Sequence, residues 1–193
     1  MLTVNQIQSE NSLYAPDDFP IWEIHNFDLP EITFHIDQPV SHNDKRFILQ
    51  ENTGIDAFVN TWEEHFTSVL KHVQDSNLPV VEQAWKGRFE TVKANRNVEL
   101  FLDKPLFSMG EHVDNRNIVA VLIINLKDNM GAGTHFREAR YTSPSTKGSG
   151  VFFLNHTNTI HSIDHKGTED RLIGYNTIDI DQLILDEGFI TRR

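Results

Sequence analysis

Asn117-Ile-Val-Ala-Val-Leu-Ile-Ile-Asn-Leu126 is the stretch on which the fold turns. Its apolar run, Ile118 to Ile124, is strand-sized and far short of the ~20 residues a membrane-spanning helix needs. A nearly unbroken apolar run of this length predicts a strand covered on both faces. Working outward, short strand-like segments recur on either side. Val98-Glu-Leu-Phe-Leu precedes it. Gly133-Thr-His-Phe, Gly150-Val-Phe-Phe-Leu, Thr159-Ile-His-Ser-Ile and Arg171-Leu-Ile-Gly-Tyr-Asn-Thr-Ile follow it. Gly- and Asn-rich turns between short strands predict a sandwich or jelly roll. No gap in this half is long enough for a helical crossover, which argues against a doubly wound parallel sheet.

The N-terminal half adds one strong helix, predicted over Ile55 to Gln74. Phe58, Val59, Trp62, Phe66, Val69, Leu70 and Val73 recur at three- and four-residue steps and form one apolar stripe. Asn52 and Thr53 are the expected caps, and Pro79 follows the end. A shorter helical piece is expected near Val80 to Trp85. Ile21 to Val40 is strand-like with Pro30 and Pro39 as boundaries, Gln38 to Lys45 is turn-rich, and residues 1–20 read as a loose lead-in. The expected fold class is mainly β with flanking helices: a double-stranded β-helix, or cupin-like jelly roll. It is read as a single domain over 1–193, with strands and a packing helix in 1–97 and the jelly-roll core, carrying a metal site, in 98–180.

Composition narrows the chemistry. The 193 residues suit one full-sized core, and 38% hydrophobic with 23% charged residues is ordinary for a globular chain. The absence of cysteine excludes disulfides, thiolate zinc sites, iron–sulfur clusters and cysteine nucleophiles together. A formal net charge of -11 repels polyanions, so nucleic acid is not an expected partner. The cluster Lys86, Arg88, Lys93 and Arg96 reads as a solvated face. The N-terminus lacks the basic start and apolar middle of a signal peptide; with the absence of cysteine, the expected location is the cytoplasm, with no membrane partner.

His-x-Asp occurs three times, as His35-Ile-Asp37, His42-Asn-Asp44 and His112-Val-Asp114. At a strand end this spacing puts both side chains on one face. Two imidazoles and one carboxylate make the facial triad of non-haem Fe(II) oxygenases, leaving coordination positions open. Only the third copy is followed by a strand-borne histidine, His161, and then by Arg171. The next histidines after the first two copies, His65 and His72, fall in the helical stretch.

This ordered set resembles the 2-oxoglutarate- and Fe(II)-dependent oxygenases of the prolyl-hydroxylase-like type, over about Phe101 to Ile178. Leu102-Asp-Lys-Pro-Leu-Phe-Ser-Met-Gly-Glu-His-Val-Asp-Asn, the strand Ile118–Asn125, Gly131-Ala-Gly-Thr-His-Phe, Thr159-Ile-His161 and Gly167-Thr-Glu-Asp-Arg171 carry it. The resemblance implies that His112, Asp114 and His161 bind Fe(II), while Arg171 pairs with the distal carboxylate of 2-oxoglutarate. It implies O₂ as co-reactant and ascorbate as a supporting reductant. The implied reaction hydroxylates an unactivated C–H bond of a small molecule or protein side chain, releasing succinate and CO₂. A planar guanidinium suits two parallel bonds to a carboxylate. Many relatives carry Ser or Thr two residues past the Arg; here Ile173 stands there, and Tyr175 or Thr134 is expected to supply the hydroxyl.

Asn115 and Phe136 are the expected residues of the pocket mouth. His161 and His165 have a spacing that would suit zinc on a helix, but Thr159, Ile160 and Ile163 favour a strand. His135, His156 and His165 are expected at turns or on the surface, and the Trp62 and Phe66 stripe in the core. The rival reading is a cupin-like metal-binding protein or non-redox metalloenzyme with no use for Arg171.

Overall fold

The computed structural model describes residues 1–8, 19–39, 44–53, 55–76, 78–79, 81, 98–115 and 118–179. The strands are β1 (Thr3–Gln6), β2 (Ile21–His25), β3 (Thr33–Pro39), β4 (Arg46–Thr53), β5 (Glu99–Asp103), β6 (Ser108–His112), β7 (Ile118–Asn125), β8 (His135–Phe136), β9 (Tyr141–Thr142), β10 (Gly150–Leu154), β11 (His161–Asp164) and β12 (Arg171–Asp179). The long helix α1 (Ile55–Asp75) lies between β4 and β5 in chain order, and a short 3-10 helix covers Thr157–Thr159. Eight strands form one sheet in the order β1-β2-β10-β7-β12-β5-β4-β3, and four form a second, β6-β11-β8-β9. All pairings are antiparallel. This is the predicted mainly-β jelly roll.

The apolar run that predicted the fold is β7, flanked by β10 and β12. Its alternate residues serve two cores. Leu122 and Ile124, with Phe152 and Leu154 of β10, pack with Trp62, Phe66 and Val69 of α1. Val121 and Ile123, with Val151 and Phe153, pack toward Phe136 and Ala139 on the other face. Period-two alternation therefore buries a strand twice, once under the helix and once between the sheets.

The stripe on α1 is buried as predicted: Phe58, Trp62, Phe66, Val69, Leu70 and Val73 all face the large sheet. Trp62 donates from Nε1 to Asn176 Oδ1 on β12 at 3.3 Å. Gly174, also on β12, makes room for that indole, since a Cβ there would lie 2.5 Å from the Trp62 ring.

Two expectations need correction. Thr3–Gln6, expected as loose lead-in, is an edge strand paired with β2 over Thr3↔His25 to Gln6↔Trp22. Its Val4 enters the core, which anchors an otherwise polar segment. Asn52 and Thr53 are the last residues of β4, whose pairing with β3 extends to Thr33↔Thr53. His165, expected at a turn or on the surface, is 1% exposed. Its Nε2 donates to the Glu169 carbonyl at 2.7 Å, folding the 165–170 loop over the ring. Residues 82–90, which hold most of the second predicted helix, and the basic cluster Lys86, Arg88, Lys93 and Arg96 lie outside the described residues. No helix among the described residues is long and apolar enough to cross a membrane.

Candidate metal and anion site

The site is built where the two sheets face each other. His112 is the last residue of β6 and His161 the first of β11, and the two are direct cross-strand partners. Their ring centroids are 4.4 Å apart. The register shifts between His161 and Ile163, an irregularity of the kind that re-aims side chains beside active sites. Asp114 lies just past the end of β6, with Oδ2 3.7 Å from His161 Nε2. One ligand atom from each of His112, Asp114 and His161 lies within 4.8 Å of the others.

Hydrogen bonding fixes which imidazole nitrogens are available. His112 Nδ1 lies 2.8 Å from the Gly110 carbonyl and His161 Nδ1 lies 3.0 Å from the Thr159 carbonyl. A carbonyl can only accept, so both Nδ1 atoms carry hydrogen and both Nε2 atoms present lone pairs. This backbone anchoring is the usual outer support of a metal-bound histidine. Burial pushes the His161 pKa below its ordinary value, against the opposing pull of Asp114, and so favours the neutral form that metal ligation requires. Asp114 Oδ2 is buried and has no hydrogen-bond partner. A buried, unpaired carboxylate oxygen is costly, and a cation between it and the imidazoles removes that cost. The donor set therefore fits a divalent metal.

A cavity of about 410 Å³ opens onto this group. Met109, His112, His161, Ser162 and Ile163 line it from the small sheet and its ends, and Arg46, Phe101, Ile123, Arg171, Ile173 and Tyr175 from the large sheet. Arg171 is 2% exposed, and Nη1 donates to Asp103 Oδ2 at 2.8 Å. Its Nε is buried without a partner. Burial lowers the Arg171 pKa to about 10, against the support of Asp103.

Thr134 and Tyr175 both line the cavity, as does Ile173, the apolar residue two positions past Arg171. The Thr134 backbone N–H donates to Ser143 Oγ, and the Tyr175 ring meets Phe101 edge-on at 5.7 Å. Phe136 does not reach the mouth. It is 0% exposed, with its ring 5.7 Å from His161 and 5.1 Å from Phe153, so it supports the histidine from behind. Strand alternation explains this, because Phe136 pairs with His161 while His135 faces outward. Asn115 is exposed beside Asp114 and is not on the cavity wall. His35 sits on β3 and Asp44 in the turn before β4, away from the triad, and His42 is outside the described residues. His65 and His72 are in α1.

Sequence reasoning missed three residues here. Asn155 donates from Nδ2 to the carbonyls of Asp114 and Asn115 at 3.1 Å and of Ile118 at 2.9 Å. One amide thus ties down the segment that carries Asp114. Asp103 and Arg46 complete the cationic wall. Asp103 lay within the motif region, but Arg46 had no sequence signal because its place depends on strand pairing.

No family model matches the sequence, and no curated protein matches it. Solved structures do resemble it. A prolyl hydroxylase from Trichoplax adhaerens, in complex with a hypoxia inducible factor oxygen degradation domain peptide fragment, gives a TM-score of 0.52 at 11% identity, covering 89% of each chain. The viral collagen prolyl hydroxylase of Paramecium Bursaria Chlorella virus-1, as its 2OG complex, gives 0.49 at 14% identity, covering 83% of this chain and 96% of that one. A Pseudomonas putida prolyl-4-hydroxylase gives 0.46 at 13%, covering 73% and 75%. The first of these carries the comparison, and at that identity the likeness is one of fold. Fold and site together define the class of architecture: a double-stranded β-helix with two histidines and one carboxylate converging on a cavity between its sheets.

Proposed function

We propose that this chain is an Fe(II)- and 2-oxoglutarate-dependent oxygenase that hydroxylates an unactivated C–H bond. The observation that carries the reading is the meeting, in one cavity, of a two-histidine, one-carboxylate group with a buried guanidinium whose Nε is unpaired. His112 Nε2, His161 Nε2 and Asp114 would hold the metal on one face. Arg171 would bind the far carboxylate of 2-oxoglutarate, with Thr134 and Tyr175 on the adjoining wall. When bound, Fe(II) with 2-oxoglutarate and O₂ supplies the oxidation, with succinate and CO₂ as co-products. The chain's own task is to orient the acid by its charged end, keep the wall of Phe101, Ile123 and Ile173 dry, and hold three ligands in place.

The fold-mate from Trichoplax adhaerens holds a peptide, which supports a protein side chain as the hydroxylated group, alongside small molecules. A cupin-like binding protein or non-redox metalloenzyme would use the triad but leave Arg171 without a task. The test is succinate release by Fe(II)-loaded protein, with peptides and small metabolites supplied in turn. Succinate formation stimulated by one substrate, and a product heavier by one oxygen, is the expected result. A protein that binds metal yet never converts 2-oxoglutarate, with any substrate, overturns the reading.

A further inference from the structure

The cationic wall holds more charge than one arginine. Asp103 on β5 has a direct partner on each neighbouring strand, Arg46 on β4 and Arg171 on β12. Arg46 forks the carboxylate, with Nε 2.6 Å from Oδ1 and Nη2 2.9 Å from Oδ2, while Arg171 Nη1 takes Oδ2 at 2.8 Å. Asp103 is 0% exposed, and the Arg46 side chain is 14% exposed. Two guanidiniums against one carboxylate leave one positive charge in excess on a nearly dry wall. Buried charge is tolerated when it is paired, so the excess calls for one anionic group. Arg46 is also fixed in place by rings, its guanidinium carbon lying 4.3 Å from the Phe107 centroid and 5.0 Å from that of Phe101. Both Arg46 and Arg171 line the cavity that the triad faces.

We infer that Arg46 is a second cation of the acid-binding end, taking the far carboxylate of a dicarboxylic 2-oxo acid together with Arg171, while Asp103 positions both. The inference rests on the oxygenase reading above and adds a specificity residue from the N-terminal half. Ile173 beside Arg171 offers no hydroxyl, and Arg46, Thr134 and Tyr175 line the same cavity as Arg171. The competing explanation is that Arg46 only braces Asp103.

Calorimetric titration of Fe(II)-loaded protein without O₂ separates the two. The ligands are 2-oxoglutarate and 2-oxopentanoate, which shares the 2-oxo acid end and has a methyl in place of the far carboxylate. Arg46→Met should weaken 2-oxoglutarate by at least about tenfold and leave 2-oxopentanoate unchanged, because only the former loses a charge partner. Arg46→Lys should recover part of the loss, and it provides the same comparison if the Met variant does not fold. Equal weakening of both acids, or no weakening of either, overturns the inference and leaves Arg46 a brace. If the unaltered protein binds neither acid, the oxygenase reading falls, and this inference with it.

Discussion

His161, the first residue of β11, stands directly opposite His112, the last residue of β6, with ring centroids 4.4 Å apart. Their Nδ1 atoms are committed to the backbone carbonyls of Thr159 and Gly110, so neither ring can turn without losing a hydrogen bond. His112→Ala and His161→Ala should therefore each abolish tight Fe(II) binding, whereas His35→Ala should bind normally. Metal content after anaerobic loading and desalting gives the answer. Full occupancy in either triad variant contradicts the assignment.

Asn155 should matter although it touches no metal. Its amide reaches the carbonyls of Asp114, Asn115 and Ile118 and so ties Asp114's backbone to the start of β7. Asn155→Ala should lower Fe(II) affinity by roughly 10–100-fold, the usual effect of removing outer-shell support. Competition against a colorimetric chelator would measure it, and unchanged affinity would show that Asp114 is positioned by other means.

Asp103 pairs with two guanidiniums at once, offsetting one of their two charges. Removing one partner of a buried ionic group costs about 3–5 kcal/mol, because the charge left behind is uncompensated. Asp103→Ala should lose stability on that scale in urea unfolding. A loss below about 1 kcal/mol would mean that water reaches the arginines easily.

Gly174 tests the packing between helix and sheet. A Cβ there would lie 2.5 Å and 2.7 Å from two carbons of the Trp62 ring, which is fully buried and cannot swing away. Gly174→Ala should cost about 1–3 kcal/mol through overpacking. Its Fe(II) binding should persist, since the strain falls on the helix side of β12. Unaltered stability would show that α1 shifts freely.

Much of this was legible in the sequence for a physical reason. The strand nature of Ile118–Ile124 is set locally, and so are the helix stripe of α1 and the His-x-Asp spacing. That His161 joins His112 and Asp114 in one site is legible only because the motifs occur in order, and the direct pairing of the two histidines is not legible at all. Arg46 was not legible, since its neighbour Asp103 is 57 residues away and is reached through the β4–β5 register. Phe136 is expected at the mouth from the sequence, and the structure buries it behind His161. Its facing depends on register, and a slip of one residue exchanges it with His135. The burial of His165, which lies in the loop after β11, is not legible for a related reason: nothing local shows that residues 165–170 close over the ring.

The most direct test of the account is the joint binding of metal and acid. Fe(II)-loaded protein would be titrated with 2-oxoglutarate in the absence of O₂, following the visible charge-transfer absorption, in the unaltered chain and in Arg171→Leu. The account predicts a band that saturates at one 2-oxoglutarate per Fe(II). In the variant, Fe(II) content should be retained and the acid should bind more weakly by about 2–5 kcal/mol, the usual cost of an unpaired buried charge. No band in the unaltered protein, or equal affinity in Arg171→Leu, would contradict it.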